Sequence, residues 1–130
     1  MFTIEQIQSA EQKVETGADF PQLAKDLKDL GVQRFDVFVM NGMTVYYGAN
    51  DNTAEGEAVY ETLMIDEQSS VDDLKEALKV HQQGASDYQT FCKQAAMAGV
   101  EKWIVDLQKM TVTYLDTAGA EMVVEDIPAR

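Results

Sequence analysis

The chain repeats itself, and that repetition limits what its 130 residues can fold into more than any other feature. Displaced by 67 positions, Thr3-Ile4-Glu5-Gln6-Ile7 falls on Ser70-Val71-Asp72-Asp73-Leu74, Ala10 on Ala77, and Gly17-Ala18 on Gly84-Ala85. One extra residue near Ser86 moves the displacement to 68, so that Asp19-Phe20 meets Asp87-Tyr88 and Gly31-Val32 meets Gly99-Val100. Phe35, Val37 and Val39 then fall on Trp103, Val105 and Leu107. A return to 67 sets Met43-Thr44-Val45 on Met110-Thr111-Val112 and Tyr47 on Tyr114. Few of these pairs are identities, but chemical class and punctuation agree, which is how a repeated supersecondary unit reads.

Each copy opens with the same local signals. Thr3 and Ser70 suit helix N-caps, with Gln6 and Asp73 three residues on, where a side chain can reach back to the cap amide. Ile4, Ile7, Ala10 and Val14 form one apolar stripe; Val71, Leu74, Ala77, Leu78 and His81 form the other. Gly17 and Gly84 stand where a left-handed residue ends a helix. Asp19 and Asp87 start second helices, with Phe20, Leu23, Leu27 and Leu30, or Tyr88, Phe91, Ala95 and Ala98, facing inward. A hairpin follows in each copy. A two-residue turn at Gln108-Lys109 sets Val105 against Val112 and Trp103 against Tyr114 on one face. In the first copy, a three-residue turn at Met40-Asn41-Gly42 sets Val39 against Met43, Val37 against Val45 and Phe35 against Tyr47. Phe38, Met40 and Tyr46 then share the opposite face, an apolar patch on one copy only that calls for cover. Third strands are expected at Ala58–Ile65, after a polar loop over Gly48–Gly56, and at Glu121–Ile127. The expected fold is α+β: one domain over residues 1–130, a tandem duplication of a helix-helix-strand-strand-strand unit (about 3–65 and 70–127), with antiparallel sheet covered by helices.

Composition bounds the function. The 23 acids outnumber the 10 bases and the excess is spread over both halves, so no basic patch exists to hold phosphate. Direct nucleic-acid binding and attachment to an anionic membrane are not expected. An acidic nucleic-acid mimic that blocks a host protein stays open as an alternative. One cysteine forms no internal disulfide and suits a reducing compartment, and neither a signal peptide nor a membrane span is legible, so a cytoplasmic location is expected.

Chemistry-bearing residues are sparse. His81 and Cys92 are the only members of their types and flank one helix–helix turn with Asp87, a nominal Cys–His–Asp set that would lower a thiol pKa. Cys92 aligns with Ala24 and His81 with Val14, however, which reads as core. A lone His and a lone Cys make no metal cluster, and no glycine spacing marks a cofactor loop, so neither metal nor cofactor is expected. Asp36 and Asp106 are a second pair, read as equivalent strand positions that could share a proton or a cation.

The second copy is also similar to something known. His81-Gln82-Gln83-Gly84, Asp87-Tyr88, Phe91-Cys92, Ala95-Ala96, Ala98-Gly99-Val100-Glu101-Lys102-Trp103, Met110-Thr111 and Tyr114-Leu115-Asp116 resemble the signature of small bacterial and prophage proteins catalogued as a domain of unknown function. Some members carry the label phage envelope protein. The resemblance implies a bacterial or prophage-encoded origin; it brings no activity, cofactor or catalytic residue. The expectation is therefore a non-enzymatic interaction or ligand-binding module, a homodimer or the binder of a protein partner. It would act through Phe38, Met40 and Tyr46 or through Gln82 and Gln83. A small enzyme using Cys92 and His81 is the alternative.

Overall fold

Capping decides where the helices begin. In the computed structural model, which describes residues 2–14 and 19–127, Thr3 Oγ1 accepts the Gln6 amide at 3.3 Å and Gln6 Oε1 accepts the Thr3 amide at 2.9 Å. This reciprocal pair opens α1 (Ile4–Glu11). Ser70 accepts the Asp73 amide to open α3 (Val71–Gln82), and Asp87 accepts the Thr90 amide at 2.7 Å to open α4 (Tyr88–Met97). Pro21 sits in the first turn of α2 (Phe20–Leu30), which ends at Gly31 with φ 105°, a conformation that favours glycine. Gly17 and Ala18 lie outside the described residues, so the helix stop read at Gly17 does too.

Among the described residues, six strands form one antiparallel sheet in the order β3-β2-β1-β4-β5-β6. They are β1 (Val32–Phe38), β2 (Thr44–Gly48), β3 (Thr53–Glu55), β4 (Val100–Asp106), β5 (Thr111–Asp116) and β6 (Glu121–Asp126). The order of elements, two helices then three strands, recurs in both halves. No helix among the described residues is long and apolar enough to cross a membrane.

The halves meet where β1 pairs with β4, Phe35 opposite Val105, Asp36 opposite Ile104 and Val37 opposite Trp103. Two hydrogen bonds close this seam at its ends, Val39 N–H to Glu101 O at 3.0 Å and Leu107 N–H to Gln33 O at 2.9 Å. Residues 68 apart exchange places across it, which puts a pseudo-twofold axis through the Asp36–Ile104 pair.

The second hairpin has the expected register, Val105 with Val112 and Trp103 with Tyr114. The first does not. Phe35 pairs with Tyr46, Asp36 with Val45 and Val37 with Thr44, and the loop is Val39–Gly42, with Phe38 N–H bonded to Met43 O. Both hairpins thus carry four-residue loops, and the displacement stays at 68 through the strands. Tyr46, not Tyr47, matches Tyr114. The sequence admitted the wrong register because Tyr46 and Tyr47 are adjacent and alike, and a slip of one residue exchanges faces.

The third strand of the first half is also not where it was expected. Thr53–Glu55 pairs with β2, reached through a tight turn in which Asn50 and Asp51 adopt positive φ, tolerable for these residue types. Ala58–Ile65 is irregular and crosses the first hairpin tip. Val59 N–H bonds to Asn41 O, Leu63 N–H to Met40 O and the Tyr60 hydroxyl to Val39 O. Loop carbonyls satisfy the backbone that a strand ladder would otherwise have used.

The core fills the space between the helices and one sheet face, with Ile7, Leu27, Leu74, Val39 and Leu107 at most 1% exposed. Leu107→Ala removes a side chain at the seam itself. The expected cost is about 2–5 kcal/mol of unfolding free energy, read as a lowered midpoint in urea denaturation at unchanged slope.

Candidate functional site

The inner face of the sheet does not pack fully against the helices. Between them lies a cavity of about 350 Å³ that straddles the pseudo-twofold. Its floor comes from the central strands: Phe35 and Tyr46 from the first half, Trp103 and Tyr114 from the second, with Thr44 matched by Val112. Its walls come from the helices, Phe20 matched by Tyr88, Leu23 by Phe91, and Glu11 at the end of α1 by Leu78 of α3. Val14 and His81 complete the rim, with Gln82 beside them.

Aromatic contacts run nearly without a break along the second half. The His81 ring stacks on Phe91 at 4.7 Å between centroids, Phe91 meets Trp103 at 5.6 Å, and Trp103 meets Tyr114 at 5.8 Å. Tyr88 stands edge-on to Trp103 at 6.4 Å. In the first half Phe35 lies 5.4 Å from Tyr46. Offset and tilted pairs of this kind hold rings in fixed orientations.

The polar groups are few and specifically partnered. The Tyr46 hydroxyl donates to Glu11 Oε1 at 2.7 Å. Glu11 keeps contact with solvent, yet the protein around its carboxyl raises its pKa by desolvation, against the smaller opposing effect of the Tyr46 hydrogen bond. His81 Nδ1 faces Ser86 O at 3.1 Å and Ser86 Oγ at 3.3 Å, and desolvation lowers the ring pKa, which favours neutral imidazole. Tyr88 lines the cavity and is 43% exposed, and desolvation of its hydroxyl raises the pKa.

The residues singled out in the sequence have mixed fates. Cys92 is fully buried, as is Ala24 at the matching place in the first half. Burial raises its thiol pKa, against opposing hydrogen bonds with Tyr60 and Tyr88. Asp87 caps α4 and His81 meets Ser86; Asp87 and His81 also favour each other's charged form, whereas Cys92 bears on Tyr60 and Tyr88. Tyr46 moves from the predicted outer patch to the cavity floor, 4% exposed. Phe38 stays on the outer face under the Lys102 ammonium, and Met40 lies in the loop, 46% exposed. Gln82 reaches Glu125 at 3.2 Å from the cavity rim, and Gln83 caps α3.

Asp36 and Asp106 are not equivalent. Asp36 sits opposite Ile104, buried in the outer face 3.4 Å from Arg34 Nε, whereas Asp106 accepts the Gln108 and Lys109 amides of its own turn. The residue missed was Glu11. It continues the stripe of Ile4 and Ile7 at a spacing of four, and a carboxylate on an inward stripe was the available signal.

A pseudo-symmetric α+β domain with an aromatic cavity between its helices and sheet is the class that this geometry defines. Residues 8–126 match the family model described as protein of unknown function (DUF1398), and the chain belongs to that family. No curated protein matches the sequence.

The Cys92 thiol and the Glu11 carboxyl, both raised by desolvation, each have a measurable outcome. A bulky thiol reagent is expected to label Cys92 slowly in the native state and rapidly in denaturant; fast native labelling would contradict a raised thiol pKa. For Glu11, a folded pKa above the unfolded one means that the folded state holds the proton more tightly. That contribution is complete below the unfolded pKa and lost as pH rises through the folded pKa. Glu11→Gln is therefore expected to raise the melting temperature relative to the parent at pH 7, with a difference that shrinks toward pH 4.

Proposed function

We propose that this protein is a non-enzymatic ligand-binding module and that its site is the aromatic cavity beneath the helices. The space itself, about 350 Å³ at the junction of the two halves, carries the reading. Protein interiors pack as densely as organic crystals and hold few voids larger than a water molecule. This one opens to solvent at its rim, where Glu11 stands, so it is a preformed concavity of the size that small-molecule sites have, not unfilled core.

The lining supports the same reading. It is mainly aromatic and aliphatic, with Glu11, His81 and Gln82 as the convergent polar groups, the usual make-up of a small-molecule site. The walls are held by ring contacts and caps on regular elements, so little ordering cost remains at binding. The burial of Cys92 and the backbone partners that His81 and Asp87 already hold favour binding over catalysis. A tandem duplication of one helix-helix-strand-strand-strand unit would account for a site built from matched residues on both sides.

Trp103 is the only tryptophan and lines the cavity, so it reports occupancy without a label. The neutral fluorophore N-phenyl-1-naphthylamine is expected to brighten on mixing with the protein and to quench Trp103 emission in a saturable way. Thr44→Phe fills the cavity from a strand position that accepts an aromatic ring. It is expected to weaken the probe at least about tenfold, a loss of about 1.4 kcal/mol, with the circular dichroism unchanged. Saturable binding that Thr44→Phe leaves intact would place the probe elsewhere and sink the reading.

A further inference from the structure

We infer that the ligand is an organic cation with an aromatic or aliphatic body, held over the ring faces of the cavity with the Glu11 carboxylate as its counter-charge. This rests on the cavity being the binding site and adds the charge and class of what enters it.

Three independent observations converge on a positive charge. The first is the balance of ionisable groups. Among the described residues that line the cavity, Glu11 is the one carboxylate, and none is lysine or arginine. A ligand anion would therefore meet a carboxylate with no compensating cation, whereas a cation finds its partner in place. The second is the π surface. Phe35, Tyr46, Tyr88, Phe91 and Trp103 border one space from several directions, and the negative faces of such rings attract alkylammonium and guanidinium groups, tryptophan most strongly. The third is the field outside. A net charge of −13 raises the local concentration of cations around the whole molecule and repels anions before they arrive.

The geometry at Glu11 suits a counter-ion fixed in place. Its Oε1 accepts the Tyr46 hydroxyl at 2.7 Å, and Tyr46 is itself fixed against Phe35, so the carboxylate is tethered at the cavity edge before any ligand arrives. His81 is the other titratable group on the rim, and its burial favours the neutral ring, so it offers no competing positive charge. In the second half Leu78 stands where Glu11 stands in the first, and the carboxylate beside Tyr114 there is Glu125, which lies outside the lining and is bonded to Gln82. The ligand expected is accordingly amphipathic, cationic at the end near α1 and apolar toward Phe91 and Trp103.

The test uses three probes of nearly one shape: benzyltrimethylammonium, its neutral isostere neopentylbenzene, and the anion phenylmethanesulfonate. Binding is followed by Trp103 fluorescence and calorimetry at low ionic strength. The cation is expected to bind at least about tenfold tighter than the neutral isostere, and the anion more weakly than either. Glu11→Gln is expected to reduce cation affinity about tenfold while leaving the neutral probe within about twofold. Equal affinity for cation and neutral isostere, or a cation affinity indifferent to Glu11→Gln, would overturn the assignment of charge and leave the cavity as an apolar site. Failure of all three probes, together with failure of N-phenyl-1-naphthylamine, would overturn the cavity as a site altogether.

Discussion

The pairing of β1 with β4 is the interaction on which the rest of the molecule depends. Each half alone would present a three-stranded ribbon with one long unpaired edge, and an edge of that kind is a template for pairing with other chains. Val39 and Leu107, the hydrogen-bonded residues at the two ends of the seam, are also among the most deeply buried side chains. Main-chain hydrogen bonding and apolar burial therefore specify the same register. A slip of one residue there would turn one strand over against the other and expose either Phe35 and Val37 or Trp103 and Val105, so the register admits little ambiguity.

The seam fixes the site as well as the sheet. Because the two strands run antiparallel, helix pairs that each cover their own half are brought to the same face, from opposite sides of the axis. Their pairwise packing, α1 with α2 and α3 with α4, is tighter than the fit between the pairs. The cavity is the space left between two well-packed halves, and its matched lining follows from that origin. Membership of a family without an assigned activity leaves the reading of this space to the chemistry of the described residues that line it: rigid rings, one tethered carboxylate and no lysine or arginine.

Much of this was legible in the sequence, for reasons that can be named. Caps at Thr3, Ser70 and Asp87, stop signals at Gly31 and Gly99, and alternation through Trp103 and Val105 are local features whose physics does not depend on the rest of the chain. The failures came where local rules left a tie. Tyr46 and Tyr47 satisfy either register, and only the loop geometry at Val39–Gly42 breaks the tie. Ala58–Ile65 has the composition of a strand, but the place beside β2 is taken by the shorter Thr53–Glu55, which follows β2 through a tight turn. The cavity itself was hidden because ring-bearing residues that line a space and those that fill a core look alike in sequence. Glu11 alone broke the pattern.

The matched but unlike walls of the cavity have a consequence for how such a site can change. Where a pocket forms between two identical subunits, every substitution appears twice, and a group that helps one end of the ligand is imposed on the other. Joining both walls in one polypeptide removes that constraint. Glu11 can stand opposite Leu78, Thr44 opposite Val112 and Phe20 opposite Tyr88 while the scaffold keeps its symmetric seam. On the reading proposed for it, the cavity is thereby free to acquire a head and a tail, and one wall can change at a time without disturbing the strands that hold both in place.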